Sequence, residues 1–183
     1  MEEKALVQEY KPNMLAFKSA VAYAVYFLIL IYVFKLLGID QNDPASTVME
    51  KVVSYVLSYV PFILAIIYVQ TTYKTHLGGF ISFKNAFSAG FKTAAYTGLF
   101  VGLLLIIYYL ILDTAAYQKV MEIAMQAAGD DENKRKGVEV MKSYMVYFIG
   151  FGGAISYTFF GLIVSLISAA VVKKEKPLYS ADE

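Results

Sequence analysis

Few residues of this chain could do chemistry, and their spacing does not favour it. Among 183 residues there is one histidine, His76, and no cysteine. Zinc sites take three or four His, Cys or carboxylate ligands, so no metal is expected. Ser54, Ser58, Ser156 and Ser165 lie in stretches without an ionisable neighbour, and a serine nucleophile needs a base beside it. They read as groups that hydrogen-bond between helices. Phosphate chemistry draws on clustered basic groups, and the single arginine, Arg135, lies in a polar segment. Gly150-Phe151-Gly152-Gly153 is embedded in an apolar run and matches no nucleotide-binding fingerprint. Tyr26 and Tyr157 could line a small cavity, or pack with each hydroxyl on a backbone carbonyl. His76, beside Gly78-Gly79, reads as a solvated surface residue. Catalysis is therefore not expected, nor is any cofactor. A formal net charge of +1 gives no footprint for nucleic acid.

The elements that would position these groups are unusually apolar. Residues 19–34, 52–73, 93–112 and 143–172 contain no Asp, Glu, Lys, Arg or His. A bilayer core is about 30 Å thick and takes roughly 20 apolar residues of helix to cross. The sequence therefore predicts an all-α membrane protein of one domain, 1–183, with four transmembrane helices. The spans are expected near 16–37, 50–73, 93–112 and 143–172. The first 18 residues include Glu2, Glu3 and Glu9, unlike a basic signal-peptide start, so the first run is expected to stay as a span. Proton and ion coupling use acids or histidines within the membrane, and these runs have none. Tyr32, Tyr55, Tyr59, Tyr108, Tyr109, Tyr144 and Tyr147 fall near one predicted boundary, as an aromatic belt would.

Packing signals are stronger than chemical ones. Ala86, Gly90, Ala94, Gly98 and Gly102 recur every fourth residue, a ridge that lets helix backbones approach closely. Gly153 and Gly161 join them as expected packing positions, since the 30-residue fourth run has glycines that suggest tilt, tight crossing or a break. Pro61 removes a hydrogen bond to the Leu57 carbonyl and reads as a kink or a hinge. Phe80, Phe83, Phe87 and Phe91, interleaved with Lys84 and Lys92, predict an interfacial amphipathic helix over 80–92 before span three. Residues 113–142 are expected as an extramembrane helical hairpin, with Asp113 meeting water and the second helix running directly into span four. Ser46 or Thr47, with Glu50, is expected to cap span two. Lysine and arginine number nine on the side of both termini and seven on the other, which places both termini in the cytoplasm.

The run 81–91, Ile-Ser-Phe-Lys-Asn-Ala-Phe-Ser-Ala-Gly-Phe, the acid Asp113 after span three, and the ending 166–174, Leu-Ile-Ser-Ala-Ala-Val-Val-Lys-Lys, resemble a bacterial family of four-span membrane proteins, domain of unknown function 4199. That family often follows its acid with proline, where this chain has Thr114. The resemblance implies the bacterial cytoplasmic (inner) membrane and supplies no catalytic residues. The leading expectation is a non-enzymatic subunit or scaffold that packs through small-residue faces, with membrane lipids, a second copy or another membrane protein as partner. A small transporter or lipid-handling protein with an uncharged intramembrane site is the alternative. An accessory subunit of a cell-envelope enzyme is a further one.

Overall fold

The computed structural model describes residues 12–39 and 46–176. The first long apolar run forms α1, Asn13–Leu37, which stops where Gly38 turns left-handed at φ 70° and its N–H reaches back to the Lys35 carbonyl at 3.2 Å. Glycine takes this conformation without steric cost. Helix α2, Val48–His76, starts at a reciprocal capping box. The Glu50 N–H donates to Thr47 Oγ1 at 3.2 Å and the Thr47 N–H donates to Glu50 Oε2 at 2.7 Å, so Thr47 rather than Ser46 is the cap. Helix α3, Phe83–Ile107, is capped by Ser82 and runs on through a π-helical turn, Tyr108–Leu112. Two shorter helices follow, α4, Thr114–Ala128, and α5, Glu132–Met141. The last is α6, Met145–Val172, with its glycines inside one unbroken helix.

Four of these helices, 13–37, 48–76, 83–112 and 145–172, are long and apolar enough to cross a membrane. The chain has the make-up of a multi-pass membrane protein, and its surface agrees. Phe148, Phe151, Phe159 and Ile167 point outward, whereas Ser54, Gln70, Thr93, Thr97 and Ser165 are buried. An exposed apolar surface of that extent is rare on a soluble monomer.

Two sequence-based expectations are corrected. The amphipathic stretch 80–92 is not a separate helix before the third span, because α3 begins at Phe83 and carries that stretch straight into the apolar part. Ala86, Ala89 and Gly90 on it are already buried in the bundle, so its inner face belongs to the core. The hairpin's second helix does not run into the fourth span either. A turn at Lys142–Tyr144 separates α5 from α6, with the Tyr144 N–H on the Met141 carbonyl at 2.9 Å.

The small-residue ridge of α3 packs against α6. A methyl group built on Gly102 would lie 2.6 Å from the Gly150 carbonyl oxygen. One on Gly98 would meet the Ala154 carbonyl oxygen at 2.6 Å and also strike Thr158 Oγ1. Gly161 is pressed against Ala94, and Gly90 against Gln70 and Ser165. Gly153 faces the Leu105 side chain. These contacts lie within one copy of the chain.

One apolar cluster joins Ala16, Val69, Tyr73, Ile81, Ala86 and Ala169 at the end where the described chain begins and finishes. There Ile81 and Lys174 exchange backbone hydrogen bonds of 2.8 and 2.9 Å, an isolated antiparallel bridge tying the α2–α3 turn to the end of α6. Lys74 Nζ donates to the Val172 carbonyl at 2.8 Å and so caps the carbonyl end of α6.

Candidate functional site

The middle of the bundle is built around a proline and three tyrosines. Pro61 leaves the Leu57 carbonyl without a helical donor, and Tyr26 of α1 donates its hydroxyl to that oxygen at 2.8 Å. Tyr23 donates to the next carbonyl, Ser58, at 2.7 Å. The Tyr23 and Tyr157 hydroxyls stand 3.2 Å apart, so α1, α2 and α6 meet on one polar thread. Around it Phe27, Tyr59, Phe62 and Phe160 pack edge-on or stacked, with Tyr59 and Tyr157 stacked at 5.4 Å and Tyr59 and Phe160 edge-to-face at 4.7 Å. Such pairs favour offset or perpendicular geometry.

From this aromatic floor a cavity of about 600 Å³ extends toward the end opposite the Ile81–Lys174 bridge. Phe27, Leu30, Ile31, Leu105 and Ile149 supply apolar wall, Tyr59 and Tyr157 its base, and Lys35, Asp113 and Lys119 its charged lining. That volume falls within the roughly 300–1,000 Å³ of small-molecule sites, which pair apolar walls with a few placed polar groups.

Lys35 and Asp113 form an ion pair in its lining. Lys35 Nζ is 2.6 Å from Asp113 Oδ2, with the carboxylate 6% exposed and the lysine half-exposed. Asp113 Oδ2 also accepts the Tyr108 hydroxyl at 2.9 Å, while Oδ1 accepts the Ala116 N–H at 3.1 Å and so caps α4. Burial alone would raise the carboxyl pKa, but the bonds from Lys35, Ala116 and Tyr108 outweigh it and hold it below the ordinary carboxylate value. This corrects the expectation that Asp113 meets water. Thr114, where proline was expected from the resemblance, opens α4 directly behind it.

The sequence-selected residues divide by location. Ala86, Gly90, Ala94, Gly98, Gly102 and Gly161 are buried in the helix packing and Gly153 is half-buried beside it. Phe83, Phe87 and Phe91 stack along the outside of α3, 6.3 and 5.7 Å apart, and Lys174 lies 5.2 Å over the Phe80 ring. Lys84 is exposed and Lys92 half-buried. Pro61 sits within an unbroken α2. None of these lines the cavity. Among the described residues no group of three or more His, Asp or Glu could hold a metal ion.

A family model described as "Protein of unknown function (DUF4199)" matches residues 18–174. The chain belongs to this family. No curated protein and no solved structure matches it. In this DUF4199 chain, the sequence drew attention to Tyr157 but not to its links with Tyr23 and Tyr59. It also missed the Lys35–Asp113 pair and Gln70, whose amide donates to the Ala86 and Ser165 carbonyls at 3.2 and 3.3 Å in the fully buried core. An acid directly after span three and a lysine near the end of span one were the available signals. Nothing in the sequence paired them.

Proposed function

We propose that this chain is a non-enzymatic protein of the bacterial cytoplasmic membrane that binds an amphipathic molecule between its helices, in lipid handling or small-solute transport. The observation that carries this reading is the cavity of about 600 Å³, with an aromatic base, apolar walls and charged lining. The ridge that favoured a scaffold between chains packs largely against α6 of the same chain. Both termini are assigned to the cytoplasm.

A second reading, a subunit that docks a membrane partner through the 114–141 segment, is favoured by α5, which buries no residue within the chain. Extraction in polymer nanodiscs followed by native mass spectrometry separates the two. A small hydrophobic molecule retained at one per chain, and lost in an Ile149→Trp variant that still extracts normally, is the expected result. A stoichiometric protein partner with no retained small molecule would replace the first reading by the second.

A further inference from the structure

Building on the cavity-binding reading above, we propose that the ligand is a single-chain amphiphile with an anionic head, a carboxylate or a phosphate monoester, seated against Lys35 and Lys119. The Lys35 ammonium carries three N–H donors. One is directed to Asp113 at 2.6 Å, which fixes the group at the cavity wall while half of the side chain stays accessible. Lys119 lines the same cavity, as do Ala115 and Ala116 in the first turn of α4. A cationic head finds no comparable seat on Asp113. Its Oδ2 already accepts Lys35 and Tyr108, and its Oδ1 accepts the Ala116 N–H.

The apolar part sets the tail. Phe27, Leu30, Ile31, Leu105 and Ile149 form wall running from the charged lining down to Tyr59 and Tyr157. A methylene is close in size to a water molecule, which occupies roughly 30 Å³ in the liquid, so the cavity of about 600 Å³ has room for an alkyl chain. A free inorganic anion would leave that apolar wall uncovered.

The test uses the purified full chain in phosphatidylcholine nanodiscs and a palmitate analogue carrying a diazirine on its chain. Photolabelled peptides are mapped by mass spectrometry, with palmitate, hexadecyl phosphate, hexadecanol and inorganic phosphate as competitors. The expected result is labelling of peptides that contain Ile31 or Ile149, displaced by palmitate or hexadecyl phosphate at about tenfold lower concentration than by hexadecanol. Inorganic phosphate should not displace it. Lys35→Gln and Lys119→Gln should each narrow the tenfold preference, and Lys35→Arg should keep it. Equal competition by palmitate, hexadecyl phosphate and hexadecanol would overturn the anionic head and leave the cavity reading standing. Displacement by inorganic phosphate would overturn the single-chain ligand in favour of a free anion. Failure of every competitor and of Ile149→Trp to reduce labelling would overturn the cavity reading with it. Should Lys35→Gln not fold, the wild-type ranking of competitors decides the question alone.

Discussion

The Tyr26 hydroxyl donates to the Leu57 carbonyl at 2.8 Å, and that carbonyl is the one Pro61 strips of its helical N–H donor. A side chain from α1 thus replaces a backbone bond in α2, one of the ways membrane helices tolerate internal proline. Tyr26→Phe should cost roughly 0.5–1.5 kcal/mol, the scale of a hydrogen bond between membrane helices. In a Pro61→Ala background residue 61 can supply the N–H itself, so the same change should cost clearly less. Steric trapping or SDS titration of the four proteins gives the double-mutant cycle. Equal costs in both backgrounds would mean that the tyrosine is not compensating for the proline.

The α3–α6 contact makes the glycines unequal. A methyl on Gly98 meets the Ala154 carbonyl oxygen at 2.6 Å, whereas one on Gly152 meets nothing within 4 Å. Gly98→Ala should therefore destabilise by about 1–3 kcal/mol through forced separation of backbones. Gly152→Ala should be neutral or stabilise by a few tenths up to ~1 kcal/mol, as alanine restricts the unfolded chain. Thermal unfolding in a mild detergent orders the two. Comparable losses at both positions would show that helix approach is not what Gly98 provides.

The legible parts of the fold are those written in local pattern. Uncharged runs marked the four long helices, and four-residue spacing marked the ridge from Ala86 to Gly102, because both depend on one helix at a time. The connector was misjudged for the same reason. Phe83, Phe87 and Phe91 at helical spacing describe an interfacial helix and the outer face of a span equally well, and only the burial of Ala86, Ala89 and Gly90 separates them. The cavity was not legible, since Lys35 and Asp113 belong to different helices and no periodicity joins them. Gln70 escaped notice because an uncharged amide does not interrupt an uncharged run.

Asp113 gives the chain a defined acid response. Its carboxyl is held below the ordinary value by Lys35, Ala116 and Tyr108. Its contribution is thus complete above the unfolded carboxylate value of about 4 and is lost as pH falls through the lower folded value. The melting temperature should drop on acidification below about pH 4, and Asp113→Asn should flatten that part of the curve. At neutral pH the variant should lose roughly 1–2 kcal/mol, less than a fully buried pair would, because Lys35 is half-exposed. An unchanged acid limb in Asp113→Asn would assign the response to other carboxylates.

Orientation can be tested at two positions chosen from the geometry. The end where the described chain begins and finishes carries Lys18, Lys74, Lys84, Lys92, Lys173, Lys174 and Lys176. The other end carries Lys35, Lys51, Lys119, Lys134, Arg135, Lys136 and Lys142, three of them on α5 rather than on a span. Lysine and arginine close to the spans favour the cytoplasmic side, and the proposed orientation accordingly has α4 and α5 outside. Gly129 is a poor labelling site, since its φ of +58° strains any side chain. Gly137, in α5 with nothing within 4 Å, accepts a cysteine freely, and the chain has none of its own. Gly137→Cys should react with a membrane-impermeant maleimide on intact cells whose outer envelope has been permeabilised, and Lys176→Cys only after lysis. The reverse pattern would put α4, α5 and the open end of the cavity in the cytoplasm, and any amphiphile would then be taken from that side.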